Sequence, residues 1–183
     1  IGTGDWSSGR VLFRSSVTAA LNVLQNNERL DGFVVTLFNY LMPGDTGDAA
    51  LLDTLFDEHG FDTVMHFAAH TIVPESVKDP LKYYRNNTAN SRTLLEACQK
   101  HDVQHVVFSS TAAVYGIPPD GKAAETTATR PINPYGTSKL MTEMMLRDLA
   151  FAGGPSYVTL RYFNVAGCEP SGTIGQSTPN RSE

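Results

Sequence analysis

Cysteine is nearly missing from this 183-residue chain. The only two, Cys98 and Cys168, stand far apart and form neither a disulfide framework nor a CxxC metal or redox motif. Each is expected to be a buried small hydrophobe. Positive charge is also scarce: 14 Lys+Arg against 19 Asp+Glu leave a net charge of −5, which excludes a basic surface for nucleic acid. No apolar run approaches the roughly 20 residues needed to cross a bilayer, and no basic flank, hydrophobic stretch and small-residue cleavage site open the chain. The expectation is a cytoplasmic protein with no membrane partner. Repeats, heptads and low-complexity tracts are absent too, and Gly and Pro fall singly as turn punctuation, so a single folded domain is expected.

From about Gly32 onward, short apolar runs alternate with longer helical patterns, the signature of βαβ units and a parallel sheet. Strands are expected at Phe33 to Leu37, Thr63 to Phe67, His105 to Phe108 and Tyr157 to Tyr162. Their interiors are β-branched and aromatic with little alternation, as suits strands covered on both faces. Helices are expected at Asp48 to His59, Leu81 to His101 and Tyr135 to Phe151. In the second, Leu94, Leu95 and Cys98 supply an apolar side at i, i+1 and i+4. The fold class is α/β, a Rossmann-like doubly wound parallel sheet.

A dinucleotide-binding domain of this kind opens on a strand followed by a glycine-rich phosphate turn, and that turn is missing. The opening IGTGDWSSGRVLFRSS has Gly2, Gly4 and Gly9, but no strand precedes Gly2 and the spacing is not that of a phosphate loop. The ends have another reading. Encoded as CTC-TTC-CGA-TCT, Leu12 to Ser15 has a reverse complement that translates to Arg-Ser-Glu-Glu, and the chain ends Arg181-Ser182-Glu183. Residues 1 to about 15 and 181 to 183 are therefore expected to be non-native, flanking a partial NAD-binding domain over residues 16 to 180 whose first βα unit and C-terminal substrate domain are missing or damaged. Within residues 16 to 43, helical composition at Ser16 to Gln25 and the strand-like FVVTLF leave a damaged first βα unit and a long loop both open.

The stretch PINPYGTSKLMTEMML, residues 131 to 146, carries the chemistry. Tyr135 and Lys139 are four apart and share one face of a helix that starts near Tyr135. A phenol with a pKa near 10 is a poor base at neutral pH unless a nearby cation favours the phenolate, and Lys139 supplies one. One strand earlier, Ser109, Ser110 and Thr111 sit just past a strand's carboxyl end, where open α/β sheets bind ligands. A hydroxyl there can bridge a reacting alcohol and the phenolate. The same features also fit an ordinary amphipathic helix start and ordinary turn serines. His66 and His70, also four apart, lie on a strand and the turn after it with no carboxylate or cysteine at ligand spacing, so no metal site is expected.

Seven segments in order, GDTGD (44 to 48), HFAAH (66 to 70), VPES (73 to 76), DPLKYYRNN (79 to 87), FSSTAAVYG (108 to 116), PINPYGTSK (131 to 139) and RYFNVAG (161 to 167), resemble the extended short-chain dehydrogenase/reductase family. The likeness is strongest to its nucleotide-sugar epimerases and covers about Gly44 to Pro179, the middle of that family's chain. The resemblance implies NAD as cofactor, UDP-glucose and UDP-galactose as substrates, and C4 inversion by transient oxidation, as in galactose metabolism. It makes Tyr135, Lys139 and Thr111 the catalytic residues, with Tyr135 taking the C4 hydroxyl proton and Thr111 bridging. It places Asp45 and Thr46 against the adenine; Phe67, Ala68 and Ala69 at the close approach behind the cofactor; Asn86 in the loops around it, and Tyr162 and Phe163 at the nicotinamide. Tyr135 and Lys139 also contact the cofactor, and Thr111, Tyr135 and Asn164 the substrate. A homodimer through the helices at 81 to 101 and 135 to 151 is also implied. Nucleotide-sugar dehydratases of the family put Thr-Asp-Glu where this chain has Thr111, Ala112 and Ala113, so an elimination reaction is not expected. A related epimerase of N-acetylated, pentose or uronic UDP-sugars, and an inert truncated Rossmann fragment, are the alternatives.

Overall fold

A computed structural model describes residues 44 to 164. The expected strand Phe33 to Leu37, Cys168 and both terminal segments lie outside the described residues.

Helix α1 (Ala49–His59) starts where Asp48 accepts the Leu51 N–H at 3.0 Å, and stops at Gly60, whose left-handed φ of 60° lets its N–H bond the Phe56 carbonyl. Strand β1 (Thr63–His66) follows. Two short helices, α2 (Val73–Lys78) and α3 (Pro80–Tyr83), each with a proline in the first turn, lead through a π-helical turn at Tyr84–Ala89 into α4 (Asn90–Lys100). Strand β2 (His105–Thr111) ends in a 3₁₀ turn, Ala112–Tyr115. Helix α5 (Pro134–Phe151), capped by Asn133, precedes β3 (Ser156–Tyr162).

The strands form a parallel sheet in the order β1-β2-β3. Thr63 pairs with His105 and that in turn with Ser156, and the ladder between β2 and β3 runs on to Thr111 and Tyr162. The hydroxyl run Ser109 to Thr111 is therefore the last part of β2. The expected strand stopped at Phe108 because hydroxyls read as turn formers; pairing with Leu160 to Tyr162 overrides that local preference.

Val64, Val106, Phe108 and Tyr157 share one face of the sheet and pack with Leu52, Phe56, Leu94, Leu95, Cys98 and Leu146 from α1, α4 and α5. Cys98 is fully buried, and burial pushes its thiol up to about 12, so it stays a protonated, inert packing group. The opposite face carries Met65, Val107 and Val158, the last 55% exposed. Among the described residues no helix is long and apolar enough to cross a membrane.

Candidate active site

Helix α5 lines its inner side with polar groups. Ser138, Lys139, Thr142 and Glu143 are all buried, and Leu146 is the buried apolar residue of that side. A core helix would place apolar residues there, so this polarity marks a site.

Tyr135 stands in the first turn of α5, held by the cap in which Asn133 Oδ1 accepts the Gly136 N–H at 2.8 Å. Its ring meets Tyr83 edge to face at 6.5 Å. Burial pushes the phenol upward, while the neighbouring Thr111 hydroxyl pulls it back. Thr111 Oγ1 already accepts the Ala113 N–H at 3.1 Å, which leaves its own proton to donate to the Tyr135 oxygen. The structure thus brings Thr111 and Tyr135 together at the carboxyl end of β2.

Lys139, one turn further along α5, is 2% exposed. Its ammonium donates to the Ser109 carbonyl at 2.7 Å and lies 4.9 Å from the centre of the Phe108 ring. Loss of hydration brings its pKa down to about 7. The sequence suggested a lysine directed at the phenolate; here it takes the nearest carbonyl, because a buried ammonium requires an acceptor. Next to it His66 is neutral: burial, with the Lys139 charge adding to it, lowers its pKa to about 3.

Asn87 is the residue that sequence reasoning missed. It is 1% exposed on the π-helical turn, and its side chain holds the loop after β1 from both sides, accepting from His70 N at 2.8 Å and donating to His70 O at 3.0 Å. It also donates to Ser138 Oγ, and its carbonyl accepts from Ser91 and Thr142. A widened π turn frees such a carbonyl for side chains. The doublet Asn86-Asn87 was the available signal. Asn86 is the partly exposed member; its amide donates to Asn87 Oδ1 and it lines a cleft of about 480 Å³ with Asp45, Arg85 and Asn90. Asp45 Oδ1 accepts from Gly47 N at 2.8 Å and from Asn90 Nδ2 at 2.9 Å, which holds the carboxylate in place at that cleft. Thr46 is half-buried beside it.

Phe67, Ala68 and Ala69 continue the chain beyond β1, with both alanines buried. Tyr162 ends β3, and Phe163 and Asn164 follow it, all three exposed. No hydrogen bond or ring contact joins them to Tyr135 among the described residues. Nor do those residues gather three His, Cys, Asp or Glu side chains that could hold a metal ion.

Residues 10–180 match the NAD dependent epimerase/dehydratase family. The chain belongs to that family. It is 60% identical over 139 residues to a UDP-glucose 4-epimerase of Azospirillum brasilense, covering 76% of this chain and 40% of the relative. It is 44% identical over 175 residues to one of Halalkalibacterium halodurans, covering 96% and 52%. In three dimensions it is similar to the UDP-glucose 4-epimerase of Brucella ovis, solved in complex with NAD, with a TM-score of 0.73, 44% identity and coverage of 78% of this chain and 44% of the other. The chain thus spans 40% and 52% of the length of those two curated relatives. Membership in the epimerase/dehydratase family and the likeness to the Brucella ovis enzyme agree with the parallel α/β architecture expected from the sequence, a Rossmann-like fold.

Proposed function

We propose that this chain is the NAD-binding part of a UDP-glucose 4-epimerase, an isomerase that interconverts UDP-galactose and UDP-glucose. The observation that carries the reading is the buried Tyr135 phenol set beside the Thr111 hydroxyl, near enough to lower its pKa, with Lys139 one turn further on the same helix. The relatives' names support the substrate.

The residues present fit NAD. Asp45 offers an exposed carboxylate, fixed by Gly47 and Asn90, as an acceptor for an adenine amine, and Asn86 shares its cleft. Thr46 sits beside Asp45, and the buried Ala68 and Ala69 carry no side chain that would obstruct a dinucleotide behind β1. Lys139, Tyr135 and Phe163 would complete the nicotinamide end. When bound, NAD supplies the group that accepts the C4 hydride and gives it back to the opposite face of the sugar.

The chain's own part is the proton. Thr111 donates to the Tyr135 oxygen and so lowers the cost of the phenolate, which the buried site alone opposes. Tyr135 then takes the C4 hydroxyl proton and returns it after inversion, while Lys139 supplies a cation one turn further along the helix. Asn164, beyond β3, is the amide for the nucleotide-sugar phosphates. Exposed Val77, Leu81, Met141 and Met144 on the mutually contacting α2, α3 and α5 support a homodimer through this side.

The test is Tyr135→Phe in the complete enzyme. Turnover of UDP-galactose should fall about 10²- to 10⁴-fold while nucleotide-sugar binding is kept, since only the proton acceptor is lost. Unchanged turnover would remove Tyr135 from the chemistry. Preference for an N-acetylated, pentose or uronic UDP-sugar would change the sugar and leave the mechanism.

A further inference from the structure

Glu143 lies one turn beyond Lys139 on the buried side of α5 and is 7% exposed, yet the proton chemistry makes no use of it. Its carboxylate is fully engaged. Oε1 accepts the Ser110 hydroxyl at 2.5 Å and Arg161 Nε at 3.1 Å, and Oε2 accepts Arg161 Nη2 at 2.6 Å. Arg161 also donates to the Tyr115 hydroxyl at 3.0 Å and covers its ring at 4.9 Å. One carboxylate therefore ties α5 to β2, to β3 and, through Arg161, to the turn after β2.

The attachments on β2 are successive. Lys139 holds the Ser109 carbonyl, Glu143 holds the Ser110 side chain, and the next residue is Thr111, which meets Tyr135. On β3, Arg161 directly precedes Tyr162, where the strand ends. Apolar residues of equal volume would often stabilise such a buried position as well as an ion pair does, so stability alone is a weak reason for it. A planar guanidinium on a carboxylate that also takes a serine fixes distances and angles, which packing does less sharply.

We infer that Glu143 is a positioning residue for the reaction, acting through Ser110 and Arg161 to set the Thr111 hydroxyl against Tyr135. This rests on the epimerase reading of Tyr135 and Thr111. It assigns Glu143 no contact with substrate or cofactor.

Ser110→Ala and Glu143→Gln in the complete enzyme test it, with Tyr135→Phe alongside. Ser110→Ala removes one hydroxyl and leaves the ion pair, so it keeps the test open if Glu143→Gln does not fold. The expected result for Ser110→Ala is a kcat loss of about 10- to 100-fold, as small misplacements of reacting groups produce, with the KM for UDP-galactose and bound NAD unchanged. An unchanged kcat, or a loss accompanied by an equal loss of bound NAD, would overturn the inference. If Tyr135→Phe also leaves turnover intact, the epimerase reading itself fails; if Tyr135→Phe abolishes it and Ser110→Ala does not affect it, only the role of Glu143 falls.

Discussion

Gly136 of α5 rests on the backbone of the turn after β2: a Cβ added to it would stand 2.7 Å from the Ala113 carbonyl oxygen and 3.1 Å from its carbonyl carbon. The residue before it is Tyr135, and Ala113 is two residues past Thr111. The two elements that carry Thr111 and Tyr135 thus touch through a position with no room for a side chain.

Gly136→Ala should push the start of α5 away from that carbonyl. Backbone is the obstacle, so no flexible side chain can yield. The expected cost is about 1–3 kcal/mol of stability. Turnover in the complete enzyme should fall by roughly 10- to 100-fold because Tyr135 moves relative to Thr111. Urea unfolding together with UDP-galactose kinetics checks both, and parental values in both would show that the contact is dispensable.

Asn87→Ala should be far more costly than Asn86→Ala. The Asn87 side chain bonds both backbone groups of His70 and the Ser138 hydroxyl, all buried, whereas Asn86 is partly exposed at the cleft. Buried groups left without partners put the loss for Asn87→Ala at about 2–4 kcal/mol, against under about 1 kcal/mol for Asn86→Ala. Thermal unfolding of the two variants side by side decides the order, while Asn86→Ala should instead weaken NAD retention.

Acidification should destabilise the fold through His66. Its folded-state pKa, about 3, lies below the ordinary 6.5, so between those values the unfolded chain binds the extra proton. Stability from this group is complete above about pH 6.5 and is lost progressively as pH falls toward 3. From pH 7 to pH 5 the loss is about 2 kcal/mol, at about 1.4 kcal/mol for each unit below 6.5. In His66→Gln the difference in denaturation midpoint between pH 7 and pH 5 should shrink accordingly; an unchanged difference would exclude His66 as the source.

Lys139 acts in a higher window. Its folded pKa of about 7 against an ordinary 10.5 means that the unfolded chain holds more protons between those values, so stability should rise with pH across that range. Lys139→Met, which keeps the buried stem and removes the charge, should flatten the rise in unfolding experiments at pH 7 and pH 9.

The residues alone determined the helices near 48 to 59 and 135 to 151 and the parallel strands beside them, because apolar runs act over a few neighbours; the helix Val73–Lys78 and the π turn that interrupts the expected helix at 81 to 101 were not legible. They also placed Tyr135 and Lys139 on one face of a single helix, since four positions span about one helical turn. Tertiary structure decided what depends on distant partners. Ladder bonds to β3 turned Ser109 to Thr111 from a turn into strand, and they aim the Thr111 hydroxyl. The choice between Asn86 and Asn87 fell to the π turn and to His70 and Ser138, residues 17 and 51 positions from Asn87. Lys139 turned to the Ser109 carbonyl because folding took its ammonium out of water, and Glu143 found Ser110 and Arg161 only where three elements meet. Spacing in a sequence fixes neighbours within an element; burial and pairing across elements exist only in the folded chain.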